Sequence, residues 1–225
     1  MNVRITEPDV RRAQIFELAA KIMTEQGYER TSLADIAAAA GLTKAGVYHH
    51  IPSKETLLLG IMNYGMELFE TRVLRAIEAI PDPVDRLRAC MAGHLRLVTQ
   101  GRSKEVTVIL HESRALRGEA AREINDRKKR YIRFLERTFR EIAAAGRLGP
   151  VDPTVAAFAF LGMINWTYQW YRPGGRLDES ALIASMTEIF FHGALGDRRG
   201  NREPSHARPG EPSRRGARGR SRGRR

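Results

Sequence analysis

The chain has 225 residues, enough for one large or two small domains with a buried core. Its single cysteine, Cys90, excludes a disulfide framework and a thiolate metal cluster and suits a reducing cytoplasm. The formal net charge is +12. The first residues are polar and the longest apolar run, 155–164, is too short to cross a bilayer, so we expect no signal peptide and a soluble protein.

Every segment before residue 197 has the apolar spacing of a helix. Turn-forming or helix-breaking residues such as Gly27, Pro81 and Pro83 separate the segments. The predicted helices span residues 9–26, 33–40, 44–50, 53–79, 84–100, 106–116, 119–145, 153–170 and 179–194. Since no segment shows the alternation of a strand, we predict an all-α fold of about nine helices.

The stretch TSLADIAAAAGLTKAGVYHHIPSKETLL predicts two short helices joined by a tight turn. Thr31 or Ser32 can cap the first helix, with Asp35 completing a capping box. Gly41 can adopt the left-handed conformation that ends this helix, and Thr43 can cap the next one. The second helix is too short to add much core. It is typical of the recognition helix of a helix-turn-helix, which lies in the major groove.

This unit carries the residues that we expect at DNA. With Val47 pointing inward, the outward side chains of the second helix can reach base edges and phosphates, and the amides at helix starts also suit phosphate oxygens. The predicted DNA-binding residues are Thr31, Thr43, Lys44, Ala45, Tyr48, His49 and Lys54. The competing interpretation is a helical hairpin with a solvated face. The combination of caps, turn glycine and exposed Tyr-His pair favours DNA binding.

The same stretch resembles the DNA-binding signature of the TetR family of bacterial transcriptional regulators. The matching positions are Thr31, Gly41, Tyr48, His50, Ser53, Lys54 and Glu55. Ile51 stands where the family usually has Phe, and it is also apolar. The resemblance in organisation covers residues 9–196. It implies a cytoplasmic, nucleoid-associated homodimeric repressor whose partners are operator DNA and a small-molecule effector.

The resemblance also implies a division of the chain. The predicted domains are a helix-turn-helix domain over residues 1–55, a helical ligand-binding and dimerisation domain over 56–196, and a tail over 197–225. In the family, an effector usually moves the two DNA-binding heads out of register with adjacent major grooves, which releases the operator.

The last two predicted helices combine apolar and small residues. Residues 155–164 are apolar on all sides, so we expect that segment to be buried on every face. Small residues such as Ala156, Ala159 and Gly162 allow helices to approach closely. Two such helices per protomer would form a four-helix dimer interface.

The segment NWTYQWYRPGG, which begins at Asn165, places polar groups and large rings on a helix. It predicts either an apolar cavity with polar anchors or a hydrogen-bonded core asparagine beside packed tryptophans. The segment is similar to one in a TetR branch that senses acyl-CoA thioesters and controls fatty-acid, aromatic-acid or steroid catabolism. This resemblance implies an acyl-CoA effector in an apolar tunnel lined by Phe134, Leu135, Phe158, Met163 and Trp166.

The phosphates of such an effector need cations. The segment NDRKKRYIRF supplies Arg127, Lys128, Arg130 and Arg133, which form either a phosphate clamp or a solvated helix face. The predicted ligand-binding residues are Arg127, Lys128, Tyr131, Phe134, Phe158, Met163, Asn165, Trp166, Trp170 and Arg172.

The end of the chain, residues 197–225, holds most of the excess charge. It contains eleven arginines and three acidic residues, a net charge of +8 that leaves +4 for the rest of the chain. Because its Gly, Pro, Ser and Arg residues bury little apolar surface, we predict a disordered tail. The tail either contacts nucleic acid loosely or is a solvated terminus.

Three other functions compete with the acyl-CoA-responsive repressor. The first is a repressor whose effector is a lipophilic drug or metabolite. The second is a nonspecific nucleic-acid-binding protein that acts through the tail. An enzyme is disfavoured, because His94 and the His111-Glu112-Arg114 group are weak signals of catalysis. The sequence has no metal-spaced histidine pair, nucleophile elbow or phosphate loop. We therefore expect no catalytic site, metal site or cofactor.

Overall fold

The structure is a computed structural model that describes residues 7–99 and 103–195. Within these ranges the chain forms nine α-helices and no strand, which confirms the all-α prediction. No helix in the described ranges is long and apolar enough to span a bilayer. The predicted disordered tail, residues 197–225, lies outside the described residues.

The first three helices are α1 (Glu7–Gln26), α2 (Leu33–Ala39) and α3 (Lys44–His50). Helix α4 starts as Lys54–Phe69, passes through a π-helical segment, Glu70–Leu74, and ends in the turn Arg75–Ile77. The remaining helices are α5 (Pro83–Thr99), α6 (Ser103–His111), α7 (Gly118–Ala144), α8 (Pro153–Trp170) and α9 (Glu179–Leu195). A short 3-10 turn, Ser113–Ala115, follows α6.

Helix α6 differs from its predicted span of 106–116, since it ends at His111. The ammonium group of Lys128 on α7 donates to the carbonyl oxygen of Ile109 and to Ser113 Oγ, each at 2.9 Å. These bonds satisfy a carbonyl at the C-terminal end of α6 and a hydroxyl in the next turn, so the chain can leave the α-helical path there without an unpaired polar group.

The buried side chains form two cores. The N-terminal core contains side chains from α1, α2, α3 and the first half of α4, together with Val108 and Ile109 of α6, Leu116, and Ile124 of α7. The C-terminal core contains the end of α4, together with α5, α8, α9 and the second half of α7. The predicted domain boundary at residue 55 stays a prediction, because α6 and the start of α7 contribute to the first core.

Helix α8 is not buried on every face, which corrects the expectation for residues 155–164. It packs against α5, α7 and α9 through residues such as Ala157, Phe160 and Ile164, all fully buried. Val155 and Phe158 point away from these neighbours and are exposed. The helix is apolar all round, but a single chain covers only part of its circumference.

Candidate DNA-binding and effector sites

Helices α2 and α3 form the predicted helix-turn-helix. Ser32 is the N-cap of α2: its Oγ accepts from the amide of Asp35 at 3.1 Å, and Asp35 Oδ2 accepts from the amide of Ser32 at 2.9 Å. The Ser32 hydroxyl also donates to Asp35 Oδ2 at 2.7 Å, and this bond, together with the bond from the Ser32 amide, lowers the pKa of the Asp35 carboxyl group. Gly41 has a φ of 65°, the left-handed conformation that ends α2. Thr43 Oγ1 then accepts from the amide of Gly46 at 3.1 Å and caps α3.

The packing of this unit determines which side chains of α3 face outward. Ile36, Ala37 and Val47 are buried between the helices. The outward face of α3 contains Thr43, Lys44, Ala45 and Tyr48, all exposed. The Lys44 ammonium group lies 5.8 Å from the centre of the Tyr48 ring. The side chain of His49, another predicted DNA contact, lies outside the described residues.

Two of the predicted DNA-binding residues are directed into the protein instead. Thr31 is buried, and its hydroxyl donates to the carbonyl oxygen of Gly27 at 2.9 Å. Lys54 Nζ donates to the carbonyl oxygens of Tyr28 and Glu29, at 3.0 and 3.2 Å, and lies 4.3 Å from the centre of the Tyr28 ring. Both side chains therefore stabilise the turn after α1, and their predicted role in DNA binding stays a prediction.

The predicted phosphate clamp on α7 is also engaged within the chain. Arg127 makes a two-pronged ion pair with Glu70, with nitrogen–oxygen distances of 3.0 and 2.9 Å, and donates to Asn63 Oδ1 at 2.8 Å. Lys128 holds the end of α6 through Ile109 and Ser113, and burial lowers its pKa. Neither cation is available to a ligand without losing these contacts. Arg130 and Arg133 are exposed, as on a solvated helix face.

The predicted tunnel residues do not share one surface. Leu135 is buried, and Tyr131, Phe134 and Met163 are half-buried against the C-terminal core. Phe158, Trp166 and Trp170 are 53%, 63% and 47% exposed on the outer face of α8. These three aromatic residues therefore do not line an interior tunnel in a single chain. Asn165 is half-buried.

A buried polar cluster lies at the middle of the C-terminal core, and sequence reasoning identified only its Tyr131. The Tyr131 hydroxyl lies 3.2 Å from His94 Nδ1 and 3.4 Å from Cys90 Sγ. The ring of Phe69 stacks against both Tyr131 and His94, with centroids 4.4 and 4.8 Å away. The spacing of Cys90 and His94, one turn apart on an apolar helix face, was a usable signal.

Burial determines the protonation of this cluster. It lowers the pKa of His94 to about 4 and raises the pKa of Cys90 to about 12. It also raises the pKa of Tyr131. At neutral pH all three groups are therefore uncharged.

A cleft of about 700 Å³ opens where the end of α1 meets α6 and the end of α8. We call it the α1–α8 cleft. Its walls come from three places: the α1 end with Met23, Thr24 and Gly27; α6 and the residue after it with Lys104, Thr107, Val108, His111 and Glu112; and the end of α8 with Tyr168, Gln169, Tyr171, Arg172 and Pro173. His111 Nε2 and the Tyr168 hydroxyl are hydrogen-bonded across it. Of the predicted ligand-binding residues, Arg172 lies here.

Two family models match the two halves of this architecture. The model described as bacterial regulatory proteins, tetR family, matches residues 15–61, and that of the tetracyclin repressor-like C-terminal domain matches residues 81–194. The chain belongs to the TetR family. It is a helix-turn-helix transcriptional regulator, and the predicted resemblance is confirmed.

Curated relatives agree with this assignment. The HTH-type transcriptional regulator HbdR of Aromatoleum sp. (strain CIB) is 27% identical over 170 residues, which cover 74% of this chain and 72% of HbdR. The HTH-type transcriptional repressor KstR2 of Mycobacterium tuberculosis (strain ATCC 25618 / H37Rv) is 25% identical over 185 residues, 81% of this chain and 92% of KstR2. These relatives are transcriptional regulators, not enzymes.

A more similar protein has a solved structure, that of AibR in complex with isovaleryl coenzyme A and operator DNA. It is 51% identical in sequence, and the match covers 80% of this chain and 97% of that one. The TM-score is 0.75. The likeness therefore extends over nearly the whole of AibR.

Lys44 and Lys54 should differ in what they do for this TetR regulator. We expect Lys44→Ala to weaken binding to the DNA upstream of the protein's own gene, with unchanged stability. The slope of log binding constant against log salt concentration should fall in magnitude by about one. Lys54→Ala should instead lower the free energy of unfolding by about 1 kcal/mol, because it removes hydrogen bonds and a cation–π contact within the head. Fluorescence anisotropy at several salt concentrations and urea unfolding measure the two effects. If Lys54→Ala has unchanged stability and a weaker salt dependence of DNA binding, Lys54 contacts DNA and does not stabilise the fold.

The buried His94 should make the protein less stable in mild acid. Its folded pKa, about 4, lies below the ordinary value of 6.5, so between these values the unfolded chain binds a proton that the folded chain excludes. Stability is then lost as the pH falls through this window, by about 2 kcal/mol between pH 7 and 5.

His94→Gln replaces the imidazole ring with an amide, which can still bond the Tyr131 hydroxyl but does not titrate. The loss of stability from pH 7 to 5, measured by urea unfolding, should be smaller in this variant than in the wild type. Equal losses in the two proteins would show that His94 is protonated normally in the folded state.

Proposed function

We propose that the protein is a homodimeric transcriptional repressor that an acyl-CoA thioester releases from its operator. The observation that carries the proposal is the 51% identity to AibR, whose structure contains isovaleryl coenzyme A and operator DNA. A short branched acyl group is therefore the first candidate. The predicted division into a DNA-binding domain over residues 1–55 and an effector and dimerisation domain over 56–196 is part of this proposal.

The outward face of α3 supports the DNA-binding part. Thr43, Lys44, Ala45 and Tyr48 offer a hydroxyl, a cation, a methyl group and a phenol in little more than one turn of helix. These groups suit phosphates, guanine edges and thymine methyl groups. We propose that this face enters the major groove.

The outer face of α8 supports a homodimer. Val155, Phe158, Trp166 and Trp170 form an exposed apolar stripe along the helix, and Ile189 of α9 is 65% exposed. An apolar surface of this kind is typical of a protein–protein interface. Gly162 lies within the stripe, where a Cβ would meet no other atom of the chain, so a partner helix can approach closely. We propose that α8 and α9 of two chains form a four-helix interface.

The C-terminal core supports an effector site near Tyr131. Tyr131, Phe134 and Met163 are half-buried against this core, and the Tyr131 hydroxyl contacts the uncharged His94 and Cys90. An apolar wall with a few polar groups is the usual composition of a small-molecule site. We propose that these side chains contact the acyl group, while Phe158, Trp166 and Trp170 belong to the dimer interface.

The dimer interface predicts a specific disruption. Trp166→Glu places a charge in the middle of the apolar stripe, so two chains would have to bury it without a partner. We expect this variant to elute as a monomer in size-exclusion chromatography with light scattering, and to lose affinity for a two-half-site DNA.

Leu110→Glu is the matched control, because Leu110 is an exposed apolar residue on α6 and is not part of the stripe on α8. It should remain dimeric. A dimeric Trp166→Glu protein, or a wild type that is monomeric, contradicts the proposed interface.

The effector is tested by release of DNA. The purified protein should retain the DNA upstream of its own gene in a gel-shift assay and lose it when isovaleryl-CoA is added, but not with isovalerate, CoA or a lipophilic dye. The same thioester should stabilise the protein against heat, by about 2.7 kcal/mol at a hundredfold excess over Kd. Release by a lipophilic compound, with no effect of any thioester, favours the drug-sensing alternative and refutes the acyl-CoA proposal.

A further inference from the structure

The α1–α8 cleft concentrates positive charge from different parts of the chain. Lys104 lies near the start of α6, and Arg172 lies just beyond the end of α8. His111 also lines the cleft. The acidic lining residue is Glu112, and its Oε1 accepts a hydrogen bond of 3.4 Å from the amide of Tyr28. The cleft is therefore suited to an anion.

Hydrogen-bonding groups accompany these charges. Tyr168 bonds His111, and Gln169 Nε2 donates to the Tyr168 hydroxyl at 2.6 Å. Arg172 Nη1 donates to the carbonyl oxygens of Gln169 and Tyr171, which holds the guanidinium group at the end of α8. A volume of about 700 Å³ is sufficient for a nucleotide.

Two of the four cations first expected at CoA phosphates are paired within the fold, and the other two, Arg130 and Arg133, are exposed. Arg127 is paired with Glu70, and Lys128 with the end of α6. A CoA thioester carries several negative charges on its nucleotide end, and a site that binds it needs cationic side chains beside the phosphates. Among the described residues, Lys104 and Arg172 bring cations from separate helices to one cleft.

We propose that the α1–α8 cleft binds the phosphorylated nucleotide end of the CoA thioester, with Lys104 and Arg172 on its phosphates. This inference rests on the proposed function, since it assigns a site to one part of the proposed effector. It also gives the ligand a contact with the DNA-binding half, because Met23, Thr24 and Gly27 at the end of α1 form one wall. An occupant of the cleft would alter the position of α1 relative to α6, and with it the helix-turn-helix.

The test compares Lys104→Gln with Lys129→Gln in the full chain. Lys129 is an exposed lysine on α7 outside the cleft, 65% exposed, so its replacement controls for the loss of one positive charge. Calorimetric titration uses isovaleryl-CoA and isovaleryl-pantetheine, which has the same acyl thioester without the nucleotide. Thermal unfolding without ligand checks that each variant is folded.

We expect Lys104→Gln to weaken isovaleryl-CoA binding about tenfold, the usual effect of losing one charge-assisted hydrogen bond. Lys129→Gln should bind like the wild type, and isovaleryl-pantetheine should bind all three proteins equally. Unchanged isovaleryl-CoA affinity in Lys104→Gln overturns the cleft assignment and leaves the proposed function standing. The same loss for both thioesters also overturns it, because the nucleotide would then not be what Lys104 contacts.

Failure of the proposed function gives a different result. In that case neither thioester binds the wild type. A third titration, with adenosine 3′-phosphate 5′-diphosphate alone, then separates the two ideas. Binding that Lys104→Gln weakens supports a nucleotide site without an acyl-CoA effector, and no binding refutes both.

Discussion

The packing of α6 against α1 and α4 is the constraint on which the rest of the molecule depends. Val108 and Ile109 of α6 are buried in the same core as Ile15, Met23 and Leu58, residues of the DNA-binding half. Close-packed interiors resist continuous deformation, so a displacement of α6 has to be passed on to the helices it touches. The helix-turn-helix is therefore coupled through this core to α6 and to the start of α7. A ligand bound far from α3 can change the DNA-binding surface through this shared core.

Two basic side chains on α7 strengthen this connection. Arg127 joins α7 to the π-helical segment of α4 through Glu70, and Lys128 joins α7 to the end of α6. Burying a cation costs free energy unless a partner lies beside it. A partner within the fold is always present, whereas a ligand is present only when it is bound. The π-helical segment begins directly after Phe69, which stacks on Tyr131 and His94. The proposed effector region and the helix that leads to the DNA-binding half therefore meet at Phe69.

Helix α8 shows how one apolar sequence can serve two surfaces. Its inner face completes the C-terminal core with Phe160 and Ile164, and its outer face leaves Phe158 and Trp166 uncovered. An apolar helix in a single chain is stable because half of its circumference is buried, and the remaining half favours association with a second copy. At its end, the same helix provides Tyr168 and Arg172 to the α1–α8 cleft. Dimerisation and ligand binding are thereby proposed for adjacent parts of one rigid element.

The sequence by itself determined the features that depend on neighbours a few residues away. Most helix positions, the Ser32 and Thr43 caps, the left-handed Gly41 and the inward Val47 follow from local propensities, turn chemistry and periodicity, and the structure confirms them. The outward face of α3 follows from the same reasoning, although its contacts with DNA stay a prediction.

Only the tertiary structure decided which distant groups meet. Lys54 and Arg127 have long flexible side chains whose partners, Tyr28 and Glu70, are distant in sequence, so no local pattern indicates whether they face DNA, a ligand or the protein. The same holds for the His94–Tyr131 contact between α5 and α7, and for which side of α8 a single chain leaves uncovered. These outcomes depend on the angle and distance at which helices cross, and that geometry exists only once the whole chain has packed.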